Sequence, residues 1–438
     1  MKVTLSHGGL IRLAKDSFTK IQDHRQAAKV EISLADHLIC ALGIFSFKFP
    51  SLLKFDSQVR KDPTSAESAN FKSLFGVENV PDDTNMRQAI DGVSPVALRK
   101  SFASMFSALQ NRKVLEKFVF YRGSYLLAID GTGFFSSKKV KCENCCVKNH
   151  KDGTQTYYHQ MLAAALIHPD LKQVIPLAPE AIQKQDGAKK NDCERNAAKR
   201  LLENIRTDHP QLDITVVEDA LSSNVPHIEE LKRHKMHFIL GIKPGDHKNF
   251  FERLEEDELS GLVEHHRSKS DDGIVREYKF INNILLKESA VDTAVNFLEV
   301  RETNSKGKVT VFAWITDFLV TKNNIEKLML GGRARWRIEN EVFNTLKNQG
   351  YEFEHNFGHG TANLSTCFAM LMLLAFLIDQ ASEICCKLYQ QARTKMGPKY
   401  SLWEEMRSIF RRFEVGNWDI LFGIIAGSVR IKYTFDTG

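Results

Sequence analysis

No apolar run in this chain is long enough to cross a bilayer. The longest, residues 368–378, falls well short of the ~20 residues a spanning helix needs and reads as a buried helix. The first residues carry no short apolar stretch of the secretory kind. Cysteine is scarce, 8 in 438 residues, and no extracellular cue accompanies it. That argues against a disulfide framework and for reduced thiols in a cytoplasmic protein. Internal repeats and low-complexity tracts are absent, which excludes solenoid arrays. A strong charge of one sign is missing too: the net charge is +6 and the pI about 8.7.

What is present is 43% hydrophobic residues, enough for one large domain or two to three ordinary ones. The charge is unevenly spread. Residues 1–120 hold 17 Lys and Arg against 12 Asp and Glu; residues 211–310 hold 14 against 19. The basic excess at the front and around 138–151 permits a polyanionic partner such as nucleic acid without demonstrating one.

Residues 1–120 read as helical. Leu10, Leu13, Ala14 and Phe18 recur at helical spacing, 35–45 is apolar, and 95–120 repeats the pattern from Leu98 to Leu115. Ser94 before Pro95 reads as an N-cap with proline at the first helical position. Residues 61–70 are polar and loop-like. No clean helix-turn-helix signature appears, so DNA binding by this part rests on charge and position alone. The pattern then changes. Residues 124–130 form an apolar run closed by Asp130 and Gly131, a strand buried on both faces. Strands follow at 157–168, 173–178, 213–219 and 237–242, with helices at 191–205 and 228–233, a mixed α/β arrangement. Residues 274–280, 282–286, 296–301 and 308–315 look like antiparallel strands between polar turns. A helix over 333–347 and a buried helix over 364–388 come next, then a mixed tail.

The 333–347 segment organises the rest. It has no proline and no internal glycine. At about 100° per residue, Trp336, Ile338, Val342, Phe343 and Leu346 share one apolar arc that should face a core. Arg335 and Glu339 sit inside that arc; Glu341 and Asn344 lie opposite, toward solvent. A charge on a buried face needs a partner, a metal or a task, and a structural Arg335–Glu339 pair is the plainer reading. Asp130 and Asp219 each close a buried strand. As lone residues they read as strand-end caps. If the strands are neighbours, both carboxylates emerge at one sheet edge, within reach of Glu339. Three converging carboxylates cannot all ionise cheaply without cations, and their oxygens suit Mg²⁺.

Ala128-Ile129-Asp130-Gly131-Thr132, Val217-Glu218-Asp219-Ala220 and Arg335-Trp336-Arg337-Ile338-Glu339 with Lys347 resemble the DDE transposases of bacterial insertion sequences. The nearest likeness is to the insertion-sequence-four family, over residues 124–360. That family's signature is Tyr, two residues, Arg, three residues, Glu, six residues, Lys. Arg335 and Glu339 fit it; Gly332 stands at the Tyr position, and Lys347 falls one place late. The resemblance implies an α/β, RNase H-like mixed sheet with flanking helices. The residue patterns give a helical N-terminal domain (1–120) and a tail (389–438); between them the resemblance implies a catalytic core in two parts (121–242 and 313–388) around a β-rich insertion (243–312). It further implies two Mg²⁺ or Mn²⁺ ions on Asp130, Asp219 and Glu339, and DNA contacts from Arg335, Lys347, Trp314 and Trp336. The partners would be the element's terminal inverted repeats and target DNA, with a homodimer in the DNA complex and no membrane. Trp314 resembles the tryptophan that receives a flipped base in hairpin-forming relatives, although its alternation with Phe312 and Ile315 makes a core residue the plainer reading. The rivals are a metal-dependent nuclease without strand transfer and a non-catalytic DNA-binding protein.

Cys142 and Cys145, with Cys146, His150 and His159 nearby, have the spacing of half a zinc knuckle. The plainer reading is a solvated basic hairpin, since Lys138, Lys139, Lys141, Lys148 and Lys151 share this stretch. His355 and His359 read as loop or core histidines.

Overall fold

Leu126, Leu127, Ala128 and Ile129 are almost wholly buried, as an apolar run with no polar alternation demands. They form the start of β1 (Tyr125–Ser137) in the computed structural model, which describes residues 4–183, 194–269, 273–287, 290 and 293–432. Among the described residues the further strands are β2 (Cys146–Asn149), β3 (Gln155–Ile167), β4 (Ile175–Pro176), β5 (Glu180–Ile182), β6 (Ile214–Glu218), β7 (His237–Gly241), β8 (Glu264–Lys269), β9 (Val275–Leu285), β10 (Ala294–Thr303) and β11 (Val309–Thr316). They make one mixed sheet in the order β2-β3-β1-β6-β7-β11-β10-β9-β8, with β4 and β5 also on β3. β1, β6 and β7 run parallel, and β3 is antiparallel to β1. The protein is thus α/β with flanking helices.

The strands expected at 274–280 and 282–286 are one continuous strand, β9. Its pairing with β10 shifts between Val295 and Phe297, and Asn283 lies beside that shift at φ 60°. A bulge keeps the ladder intact where the sequence reads as a break. The β-rich segment does not fold away from the sheet; β11 pairs with β7 and extends it. The helix Glu194–Asp208 matches the latter part of the one expected at 191–205, whose first three residues lie outside the described set.

In the first 120 residues, helices His7–Phe18, Leu34–Ser46, Asp83–Asp91 and Pro95–Asn111 follow the apolar spacing. Ser94 does sit at the N-cap with Pro95 behind it, but its side chain makes no capping bond. The supposed loop at 61–70 gives way to a helix, Ala66–Phe75. Ser65 accepts from the Ser68 N–H, Gly76 closes the far end in the left-handed region, and Phe71 and Phe75 are buried. Asn70 is buried as well, donating to the Phe410 and Phe413 carbonyls and accepting from the Val415 N–H.

Contrary to the reading of 368–378 as too short a run, the helix that contains it, Leu364–Cys385, is long and apolar enough to cross a membrane by length and composition. Its most apolar stretch is entirely buried in the protein, packed against Leu34–Ser46. The C-terminal residues, helices Lys399–Arg412 and Trp418–Ala426, return to the N-terminal helices; residues 433–438 lie outside the described set. Trp418 stacks on Phe47 at 5.4 Å and tilts against His7 at 4.4 Å. Between these layers lies a buried ion pair, Lys48 Nζ to Asp379 Oδ2 at 2.5 Å. Lys48 also faces the rings of Trp403 and Tyr351, and the Tyr351 hydroxyl donates to Asp379.

Candidate active site and a second metal-competent cluster

The parallel ladder between β1 and β6 pairs Ala128 with Val217. Two residues further along both chains stand Asp130 and Asp219, so register alone delivers the two carboxylates side by side at one end of the strand pair. Asp219 sits just past β6 and caps the turn Ala220–Ser222, its Oδ1 accepting from the Leu221 N–H at 3.0 Å. The capping reading of this residue is therefore correct, and it occupies one oxygen. Asp130 Oδ1 accepts from the Gly131 N–H at 2.8 Å.

Glu339 reaches the same place from a distant segment. The helix expected over 333–347 is interrupted. A regular helix, Ile325–Ala334, ends at a turn at Arg335, and residues Ile338–Phe343 form a widened turn with i→i+5 bonding before Asn344–Asn348 resumes. A π-turn changes the angular spacing of side chains and recurs at functional sites. The arc expected from 100° spacing is altered accordingly. Ile338, Val342, Phe343 and Leu346 are buried, but Trp336 is turned out and 53% exposed. Glu341 is not turned to solvent; it is half-buried and pairs with Arg337 at 3.3 Å.

Arg335 Nη1 lies 2.7 Å from Glu339 Oε1 and 3.3 Å from Asp130 Oδ2, bridging the two carboxylates. The Asp130 pKa is raised from its ordinary 3.8 to about 6, chiefly by burial. The Gly131 N–H and Arg335 oppose that rise, and the charges of Glu339 and Asp219 add to it.

A fourth carboxylate, Glu194, was not singled out in the sequence. A Cβ on Gly131 would lie 2.4 Å from Glu194 Oε1, so Gly131 is the residue that lets this side chain approach. Burial, then the charges of Asp219 and Glu218, raise the Glu194 pKa. Nothing in one sequence links Glu194 to Asp130; the only trace is the glycine itself. Beside Asp219, Glu218 is buried and paired with His227 at 2.5 Å.

The other residues expected to touch DNA are placed unevenly. Trp336 is exposed with the Arg335 guanidinium 5.9 Å from its ring. Lys347 pairs with Glu354 at 2.8 Å. Trp314 is 5% exposed, and its indole lies where a Cβ on Gly332 would stand. A tyrosine at position 332 would collide with it, and the Trp314 ring is not presented to a nucleic acid in this conformation.

A second cluster lies on β3 and the loop before β2. Cys142, Cys145, His159 and His359 bring one donor atom each within 4.8 Å of one another, a set that could hold a metal ion. His150, expected near the cysteines, instead bonds Thr156 at 2.8 Å. His359 takes its place from 214 residues beyond Cys145. The signal for it was the Gly358-His359-Gly360 turn, with both glycines at positive φ. The hydrogen bond with Cys142 lowers the Cys145 pKa to about 7, although burial opposes this.

No family model matches the chain, and no curated protein matches it.

Proposed function

We propose that this protein is a DDE-type DNA transposase, cutting element ends and joining them to target DNA by two-metal phosphoryl transfer. The observation that carries this reading is the convergence of Asp130, Asp219 and Glu339 at one end of the β1–β6 pair, with Asp130 raised to about 6 by burial. An RNase H-like reading of the sheet is supported by the central order β3-β1-β6-β7, antiparallel only at β3.

The residues fit divalent cations. Glu194 raises the carboxylates near the site to four, and Arg335 is the one cation bonded among them in the described residues. One guanidinium does not neutralise such a set, and carboxylate oxygens suit hard ions. Asp130, Asp219 and Glu339 would hold two Mg²⁺ or Mn²⁺ ions. When bound, such a pair stabilises the attacking and leaving oxygens of an in-line displacement. Arg335 changes role: its guanidinium, bridging carboxylates in the free chain, is released to grip a DNA phosphate through two parallel bonds. Trp336 offers an exposed ring beside it for a base. Lys347 reaches a phosphate only by leaving Glu354. Soft sulfurs exclude the Cys/His cluster as a Mg²⁺ site; Zn²⁺ suits it.

The partners are the element's terminal inverted repeats and target DNA, held by a homodimer working in the cytoplasm at the nucleoid. The test is cleavage of labelled element ends, taken from inverted repeats flanking the gene, followed by joining of a pre-cut end to target DNA. Metal-dependent cleavage and joining, both lost in Asp219→Asn, are expected. Cleavage without joining would replace this reading with that of a nuclease. DNA binding without cleavage would leave a non-catalytic DNA-binding protein.

A further inference from the structure

We propose that Cys142, Cys145, His159 and His359 form a closed structural zinc centre. It clamps the loop 349–363, which follows the Glu339 segment, onto the β1–β3 hairpin that carries Asp130. The proposal is independent of the chemistry assigned to the carboxylates.

Three observations carry it. The first is the donor set: two sulfurs and two imidazole nitrogens, with no carboxylate, is a composition of four-coordinate structural zinc. Cys145, His159 and His359 are each more than nine-tenths buried. The second is spacing. A tetrahedral zinc with Zn–S of about 2.3 Å and Zn–N of about 2.0–2.1 Å sets its sulfurs about 3.8 Å apart and each sulfur about 3.6 Å from a nitrogen. The sulfurs here are 3.8 Å apart. His159 Nε2 lies 3.3 Å from Cys142 Sγ and 3.4 Å from Cys145 Sγ, and His359 Nε2 lies 3.4 Å from Cys145 Sγ. A disulfide needs about 2.05 Å and would not draw two imidazoles to its sulfurs. The third is the cysteine turn itself: the Cys142 N–H donates to Cys145 Sγ at 3.3 Å, a bond that favours the thiolate a metal requires. Phe134 and Phe135 pack on the two histidines and close the shell.

The clamp joins segments far apart in the chain. Cys142 and Cys145 lie in the turn between β1 and β2, and His159 stands on β3 opposite Phe135. His359 belongs to the loop that leaves Asn344–Asn348. The other end of this loop is anchored separately. Asp91 accepts the N–H groups of Thr361, Ala362, Asn363 and Leu364, and Asn144 donates to the Ala362 carbonyl at 3.0 Å. A metal at the Cys/His set would fix the loop to the sheet at His359, two residues before the Asp91 anchor begins.

The full-length chain, purified without chelator, should contain one zinc per chain, falling below a tenth in Cys142→Ser and in His359→Asn. His150→Asn, outside the cluster, should keep it. Exchange with Co²⁺ should give the visible bands of a tetrahedral site with thiolate charge transfer in the wild type. Chelation of the wild type should increase protease cleavage within 349–363 severalfold, reversed by added zinc. The wild-type Co²⁺ spectrum decides the matter even if the variants fail to fold. Absence of zinc together with an octahedral or featureless Co²⁺ spectrum would overturn the proposal. So would equal zinc in His359→Asn, or a Cys142–Cys145 disulfide found by mass spectrometry in protein purified under reducing conditions.

Discussion

Replacing Asp130 by asparagine should make the metal-free protein more stable, and the gain should depend on pH. The folded chain raises the Asp130 pKa from 3.8 to about 6. The folded state therefore holds this proton more tightly than the unfolded state does. Stability from that difference is fully present below pH 3.8 and is lost as pH rises to about 6. Above pH 6 the ionised carboxylate carries the whole penalty. Two units correspond to about 3 kcal/mol. The carboxylate is 29% exposed, and solvent screening brings the expected figure to about 1–2 kcal/mol. Asp130→Asn removes the charge and keeps the shape. Its melting temperature should exceed that of the wild type by about 1–3 °C at pH 8 in EDTA, and the gap should close near pH 4. Adding Mg²⁺ should then raise the wild type and leave the variant unmoved, since only the wild type gains a ligand by folding. A variant less stable than the wild type at pH 8 would refute the reasoning. Asp130 would then be a structural partner of Arg335, favourable as an ion pair.

If the proposed function holds, Glu339→Gln should abolish end cleavage with the fold intact, whereas Glu341→Gln loses only its pair with Arg337, roughly 0.3–0.5 kcal/mol, and should cut normally; a folded Glu341→Gln protein that does not cut would reverse the assignment. Trp314→Ala should cost about 3–5 kcal/mol in urea unfolding as a core deletion, while exposed Trp336→Ala should stay within about 0.5 kcal/mol and weaken DNA binding in a gel-shift assay by about 1–3 kcal/mol per stacked base. Lys48→Met should cost about 3–5 kcal/mol by stranding buried Asp379, and Lys48→Met with Asp379→Leu should recover much of it; equal losses in single and double variants would deny the pairing. Burial lowers the pKa of His7, His37 and His209 from 6.5 to about 4, so their neutral forms stabilise the fold above pH 6.5 and that contribution is lost as pH falls toward 4; His7→Gln should flatten the melting-temperature decline between those limits.

The central strands could be read from residues alone because their burial is local in pattern: the apolar run before Asp219 stops where β6 ends, whereas β1 runs past Asp130 to Ser137, because its pairing with β3 continues beyond the buried run. β8 could not, since Glu264, His265, His266 and Arg267 show no apolar face. The helix Ala66–Phe75 was hidden by its serines and by Asn70, whose partners lie more than 300 residues away. The same distance effect hid His359. Its neighbours in sequence read as loop, and only folding sets it beside Cys145. For the Glu339 segment, the helical period found Ile338, Val342 and Leu346, but it assumed uniform geometry. The π-turn broke that assumption, and with it the placement of Trp336 and Glu341. Gly332 at the expected tyrosine position has a physical cause as well, the Trp314 indole seated against it.

The packing of the first helix against the helix Leu364–Cys385 sets a schedule for synthesis. His7 Nδ1 meets the Ser382 hydroxyl at 2.9 Å across a separation of 375 residues. At ~5–20 residues per second, a ribosome needs roughly 20–75 s to make that stretch. Through this interval the N-terminal helices carry an unfinished apolar face, although Asp91, Asn144 and Cys145, which meet the loop after Glu339, are already made when Glu339 emerges. The nascent chain must therefore wait, with its longest-range contacts last to form. A chaperone that shields the first helices for about a minute would match that delay, and a nick or stop that removes Trp418 would leave the face open for good.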